Sequence, residues 1–174
     1  METDEAFALV VLLRQRANCV GAMYLIDGNN LIGHTKSISY RDPRARQQVL
    51  DRMANFLESR RRNATVVFDG STEPLRKNRW MRLVFSGPGR TADELIRRQV
   101  EEAGSRKDLC VVSSDNGVYG YARSCGVAAL KCHEFNNLLN KEQVSGSEPE
   151  KRDIPSESIK QWMRYFGEEE DGKE

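Results

Sequence analysis

The chain has little that would tie it to a membrane, a disulfide scaffold or a zinc site. Its one apolar run near the start, Ala6 to Leu13, is eight residues long, against the ~20 that a membrane-spanning helix needs. Glu2, Asp4 and Glu5 precede that run and Arg14 and Arg16 follow it, the reverse of a signal peptide's flanks. The four cysteines, Cys19, Cys110, Cys125 and Cys132, make no C-x-x-C pair, so free packed thiols and a reduced, cytoplasmic setting are expected. Histidine is scarce: His34 and His133 are the only two, and they form no paired Cys or His spacing of the kind a zinc site uses. Net charge is small as well, because 27 Lys and Arg face 26 Asp and Glu and leave +1. That balance excludes an acidic tail protein and a uniformly basic nucleic-acid coat.

What is present is unevenly spread. Residues 41–107 carry 16 Lys and Arg and 9 Asp and Glu, a local +7, while residues 141–174 carry 6 and 10, a local −4. A basic middle in a neutral chain points to a polyanionic partner. The length of 174 residues suits one domain with its own core. Met23 stands immediately before the first good strand, so residues 1–22 are expected to be an extension of a domain spanning 23–141, with Met23 a candidate natural start.

From Met23, short β-branched runs alternate with helical spacing. Strands are predicted at Tyr24–Asp27, Thr65–Asp69, Arg82–Phe85, Leu109–Ser113 and Val127–Leu130. Leu50, Met53 and Leu57 lie on one helical face after Pro43. Thr91-Ala92-Asp93-Glu94 reads as a capping box, with Glu94 reaching back to Thr91. Further helices are expected from about Asp115 to Cys125, stopped by Gly126, and from about His133 to Lys141. This alternation predicts an α/β, three-layer α/β/α sandwich with a central parallel sheet. Beyond it the spacing suggests a linker at 142–154, a helix at 155–167 with Ile159, Trp162, Met163 and Phe166 on one face, and a frayed tail at 168–174.

Acids fall where the strands end. Asp27 and Asp69 close the first two strands, Asp93 lies in the first turn of the helix after the third, and Asp115 follows the fourth. In a parallel sheet those positions share one rim, the rim where ligands bind. Several carboxylates together repel one another, and a divalent cation removes that penalty. Oxygen-only ligation suits Mg²⁺ or Mn²⁺. A single such Asp is also an ordinary turn former or helix cap, so the weight rests on the set. Gly87-Pro88-Gly89 lacks the arrangement of a phosphate-binding P-loop and reads as a turn.

The residues around the acids carry a resemblance. Tyr24-Leu25-Ile26-Asp27-Gly28-Asn29-Asn30, Val66-Val67-Phe68-Asp69-Gly70, Phe85-Ser86-Gly87 through Thr91-Ala92-Asp93-Glu94, and Val112-Ser113-Ser114-Asp115 resemble, in order, the motifs of the NYN family of PIN-like ribonucleases, in its YacP-like branch. The resemblance implies a PIN-like fold and divalent-metal-dependent hydrolysis of RNA. It implies that Asp27, Asp93 and Asp115 hold the metal, Mg²⁺ or Mn²⁺, and that Asp69 binds through water. By the same likeness Asn30 orients Asp27 or touches phosphate, and the Ser114 hydroxyl fixes the carboxylate or a water. Asn29 stands where an aromatic residue is common, and Glu94 has a sufficient task in its capping box.

Arg76, Lys77, Arg79 and Arg82 surround Trp80 after Asp69, close in sequence to the acids, and Arg90 precedes the Thr91 helix. Cations beside an aromatic ring suit single-stranded RNA, with phosphates on Arg and Lys and a base on the ring. The expected partner is an RNA substrate, free or as mRNA presented by a ribosome or other ribonucleoprotein, with no membrane partner. The competing reading is an RNA- or ribonucleoprotein-binding module with a weak or inactive nuclease site. A small-molecule phosphohydrolase is disfavoured, because no Asp-x-Asp nucleophile motif is present.

Overall fold

The computed structural model describes Cys19 and residues 22–145. Most of the expected extension 1–22, the linker beyond Ser145, the helix at 155–167 and the tail at 168–174 lie outside the described residues. By its contacts the chain divides into two compact units, Met1–Glu142 and Gln143–Glu174. All the elements below belong to the first, save the last turn of its final helix.

Five strands form one sheet: β1 (Met23–Asp27), β2 (Ala64–Phe68), β3 (Met81–Phe85), β4 (Leu109–Val112) and β5 (Ala128–Leu130). Each lies within a residue or so of its expected position. The order is β3-β2-β1-β4-β5, and every pairing is parallel. Five helices accompany them: α1 (Gly28–Gly33), α2 (Ala45–Ser59), α3 (Ala92–Glu102), α4 (Asn116–Ser124) and α5 (Cys132–Ser145). The predicted three-layer α/β sandwich is what forms.

Alternation along the strands makes two cores. Tyr24, Ile26, Val66, Phe68, Cys110 and Val112 face α1, α2 and α5 through Leu31, Leu50, Met53, Leu57 and Phe135. Leu25, Val67 and Val111 face the opposite way and meet Ile96 and Val100 of α3 and Val118 and Ala122 of α4. Both faces of the sheet are therefore covered, which explains why its strands read as apolar runs without alternation.

Helix starts follow their caps. The capping box at Thr91 is present in both directions, Glu94 N donating to Thr91 Oγ1 and Thr91 N to Glu94 Oε2, each at 3.3 Å. Asp115 caps α4 by accepting from Val118 N at 2.9 Å, and Gly126 takes up the chain after that helix at φ +76. Two differences from expectation concern helices: α1 is additional, and α5 runs beyond Lys141 to Ser145.

The cysteines differ from expectation too. Cys19 and Cys110 form a disulfide across a separation of 91 residues, with Cα atoms 5.4 Å apart, while Cys125 and Cys132 are free. Spacing cannot show a pair so far apart in the chain, because the fold alone brings Cys19 against the middle of β4. Among the described residues no helix is long and apolar enough to cross a membrane.

Candidate active site

The strand order locates the site before any side chain is considered. From β1 the chain builds outward to β2 and β3, then returns to β4 on the other side of β1 and continues to β5. The winding reverses between β1 and β4, and at such a switch point two connections part and leave a crevice at the carboxyl ends of the strands. Asp27 ends β1 there, and Ser113, Ser114 and Asp115 follow β4.

Asp27 is only 4% exposed. Its Oδ1 accepts from Asn30 N at 3.0 Å and its Oδ2 from Ser113 Oγ at 3.2 Å. Burial, the largest influence, outweighs those two lowering hydrogen bonds, and with the nearby carboxylates of Asp93 and Asp69 it pushes Asp27 up from 3.8 to about 6. Asp93 is raised as well, first by burial and then by Asp115 and Asp69, with Arg97 opposing. Asp69 accepts from Asn29 Nδ2 at 2.9 Å and from Ala92 N at 2.7 Å. The four acids thus share one rim and act electrostatically on one another, as the strand ends predict.

Fit to a divalent cation can be judged from the donors. Four carboxylates, with repulsion among them that a cation would relieve, suit a hard metal. Their positions do not yet form a closed cage, because among the described residues no three His, Cys, Asp or Glu side chains are grouped to hold a metal ion. Three of the acids are partly engaged by helix amides, Asp27 with α1, Asp69 with α3 and Asp115 with α4. The oxygen donors suit a hard divalent ion in kind, while their positions do not group three of them around one point.

Comparison with known proteins gives the family. The profile of the YacP-like NYN domain matches residues 24–166. The chain belongs to the YacP-like NYN domain family. Its fold is similar to the crystal structure of Rae1 (YacP) from Bacillus subtilis, with a TM-score of 0.61 at 18% identity over 83% of each chain. A mutant of that protein gives 0.57 at 19% identity over 86% of each chain. No curated protein matches. NYN membership is consistent with a nuclease.

Within this NYN domain several residues take tasks other than those expected. The Asn30 side chain does not orient Asp27; its Oδ1 accepts from Ser114 N at 2.8 Å and from Cys132 Sγ at 3.1 Å, tying α1 to the ends of β4 and β5. Ser114 Oγ accepts from Cys132 N at 3.0 Å, so it braces α5. The hydroxyl that holds the carboxylate belongs to Ser113, which also accepts from Asp115 N at 3.1 Å. Asn29 has a definite task in positioning Asp69, and Glu94 closes its capping box.

The strand register shows where the basic loop runs. Met81 pairs with Ala64 and Phe85 with Phe68, so β3 begins at the far end of the sheet from the acids. The loop after Asp69 descends along α2: Arg76 N donates to Gln47 Oε1 at 2.8 Å, Asn78 Nδ2 to Ala54 O at 3.1 Å, and Ala64 N to Trp80 O at 2.8 Å. Arg79 and Trp80 therefore lie beyond the start of β3, away from the acidic rim, while Arg82 is level with Thr65 and Leu25, two residues short of Asp27 along the strand direction, or about 7 Å at ~3.3 Å per strand residue. Trp80 is half-buried against the core, and the Arg79 guanidinium lies 4.9 Å from its ring. Arg76 and Lys77 are exposed partway down the loop, and Arg90 is exposed beside α3, at the rim itself.

Further cations reach the rim from other elements. Arg46 of α2 donates to Asp69 O at 2.7 Å and lies over the Phe68 ring at 5.2 Å. Arg97 lies beside Asp115, because a Cβ on Gly117 would meet Arg97 Nη2 at 3.0 Å and Asp115 Oδ1 at 3.1 Å. Lys131, just after β5, donates to Asn116 Oδ1 at 2.9 Å and stands 4.0 Å over the Tyr119 ring. Only position signals Lys131 in the sequence, as the residue ending a strand at the functional rim.

Proposed function

We propose that this chain is a divalent-metal-dependent endoribonuclease that hydrolyses RNA phosphodiester bonds. The observation that supports it most is the coupling of Asp27, Asp69, Asp93 and Asp115 at the switch point, where Asp27 is buried yet pushed up only to about 6 and is mostly ionised near neutral pH. In this reading Asp27, Asp93 and Asp115 hold Mg²⁺ or Mn²⁺, and Asp69, fixed by Asn29, binds through water. A divalent ion, when bound, supplies an acidified water and neutralises charge on the leaving oxygen. The chain's own residues hold the acids in place: Ser113 aims Asp27 and shares its hydroxyl with Asp115 N. Arg97 and Lys131 offer positive charge to the phosphate. Cys132, the thiol at the rim, is pushed up to about 11, chiefly by burial, and stays protonated, so it offers no nucleophile in place of water.

Asp115→Asn separates chemistry from fold, because Asn caps a helix about as well as Asp. Cleavage of end-labelled single-stranded RNA with Mn²⁺ or Mg²⁺ is expected to fall by more than about 100-fold, the upper range for loss of a ligand's supporting partner. Equal activity of the two proteins, or activity undiminished in EDTA, would sink the proposal. The helix-amide bonds of Asp27, Asp69 and Asp115 favour one alternative, an RNA- or ribonucleoprotein-binding module with a weak or inactive site. In that case RNA binds, but neither protein cuts it.

A further inference from the structure

We infer that the groove between the end of α1 and the outer side of α5 is a second RNA subsite, which holds a phosphodiester of the strand next to the one at the acidic rim. The inference rests on the nuclease reading for the location of the cut, but its chemistry stands on the groove itself. A cavity of about 530 Å³ opens there, lined by His34, Lys36, Arg52, His133 and Asn140 among others, and none of its described lining residues carries a carboxylate. On a molecule with nearly as many acids as bases, a hollow with two cations, two imidazoles and side-chain amides and no acid is suited to an anion.

The groove is also built to keep its shape. Arg52 lies half-buried with Nη1 donating to Ser37 Oγ at 3.2 Å and Nη2 to Asn140 Oδ1, so neutral partners aim it and leave its charge uncompensated. Asn136 Nδ2 donates to His34 O at 3.1 Å, which fixes the floor between α1 and α5. Lys36 and His133 stand exposed at the mouth.

Position connects this groove with the acids. His34 N donates to Asn30 O at 3.2 Å, and Asn30 in turn holds Ser114 N and Cys132 Sγ at the rim. Asp27 and His34 bracket α1, a span of about 10 Å at 1.5 Å per residue. A strand whose scissile phosphate sits at the rim can therefore lay a neighbouring phosphate against Lys36, Arg52 and the two imidazoles. On the α1 side, Lys36, Arg52 and the two imidazoles thus form a cationic surface that adjoins the acids.

The test is binding of a fluorescent single-stranded RNA 10-mer to the Asp115→Asn protein, with and without Lys36→Gln and His133→Gln together, read by anisotropy from 50 to 200 mM salt. Both side chains are exposed, so the fold is expected to survive. Affinity should fall about tenfold, the scale of one or two charge-assisted hydrogen bonds, and the salt slope should flatten by about 0.7 for each phosphate that the variant no longer neutralises. Inorganic phosphate at the same ionic strength should compete weakly, in line with a subsite for a strand; competition equal to that of RNA would assign the groove to free phosphate and overturn the inference. Unchanged affinity and slope in the variant, or no RNA binding at all, would also overturn it. The two readings fail separately. RNA bound through Lys36 and His133 but not cut by the wild type removes only the nuclease proposal, whereas cutting with binding indifferent to the pair removes only the groove.

Discussion

Replacing Asp27 by Asn should stabilise the protein at alkaline pH, and the gain should vanish in acid. Asp27 is raised from 3.8 to about 6 in the folded chain, with burial as the first cause. Below about pH 4 its carboxyl is neutral whether the chain is folded or not, and its full contribution to stability is present. As pH rises from there through 6 the folded chain must ionise a buried group, and by pH 8 this has removed about 3 kcal/mol. The asparagine of the variant never ionises. It keeps an oxygen for Asn30 N but turns an amide toward Ser113 Oγ, which must reverse its hydrogen bond at a cost of about 1 kcal/mol. The net advantage over wild type is then about 2 kcal/mol at pH 8, or roughly 4–8 °C in Tm for a chain of this size. Thermal unfolding in EDTA across pH 4–8 measures it, since groups common to both proteins cancel in the difference. On the proposed reading, added Mn²⁺ should then favour wild type, because only wild type keeps a carboxylate at this position to bind it. A difference that is constant across pH, or a variant less stable at pH 8 than at pH 4 relative to wild type, would refute the account of Asp27.

Two further substitutions probe the supports of the rim. Ser113→Ala removes the bond to Asp27 and the one to Asp115 N, so urea unfolding should show a loss of about 2 kcal/mol. Because the Ser113 bond lowers Asp27, the acidic limb of the pH–rate profile should move upward; a limb that stays in place would give Ser113 a purely structural role. Gly28→Ala places a Cβ 2.3 Å from Phe68 Cε1, and Phe68 is fully buried, so overpacking should cost about 1–3 kcal/mol. Gly33→Ala, with open space around it, is the matched control in the same helix and should be neutral or stabilising; equal losses at both positions would refute the packing explanation.

The five strands are legible in the sequence because strands buried on both faces are written as unbroken apolar runs, and the acids because each lies where a strand ends or the next helix begins. Helix α1 is not, since Gly28-Asn29-Asn30-Leu31-Ile32-Gly33 has the composition of a turn and is helical because Asp27 caps it. Parity explains the exchange between Ser113 and Ser114. Adjacent residues at a strand end point to opposite sides, and only the register decides which one meets Asp27. The course of the basic loop is hidden for a different reason. Closeness in sequence to Asp69 says little when the intervening residues run the length of α2 without a helix of their own. Nothing local announces Arg46 or Lys131 either, because each reaches the rim from a separate element.

The position of β3 at one side of the sheet has a consequence for solubility. A strand with a neighbour on one side only offers its free amides and carbonyls as a template on which another chain can add a strand. Met81-Arg82-Leu83-Val84-Phe85 would be an inviting template were it wholly apolar, and Arg82 interrupts it, with Arg79 just ahead. A second copy approaching that strand in register would bring the same cations against these, and charges of one sign facing across a ladder repel. Whatever their part in a path for RNA, these two arginines also set like charge along the open side of the sheet.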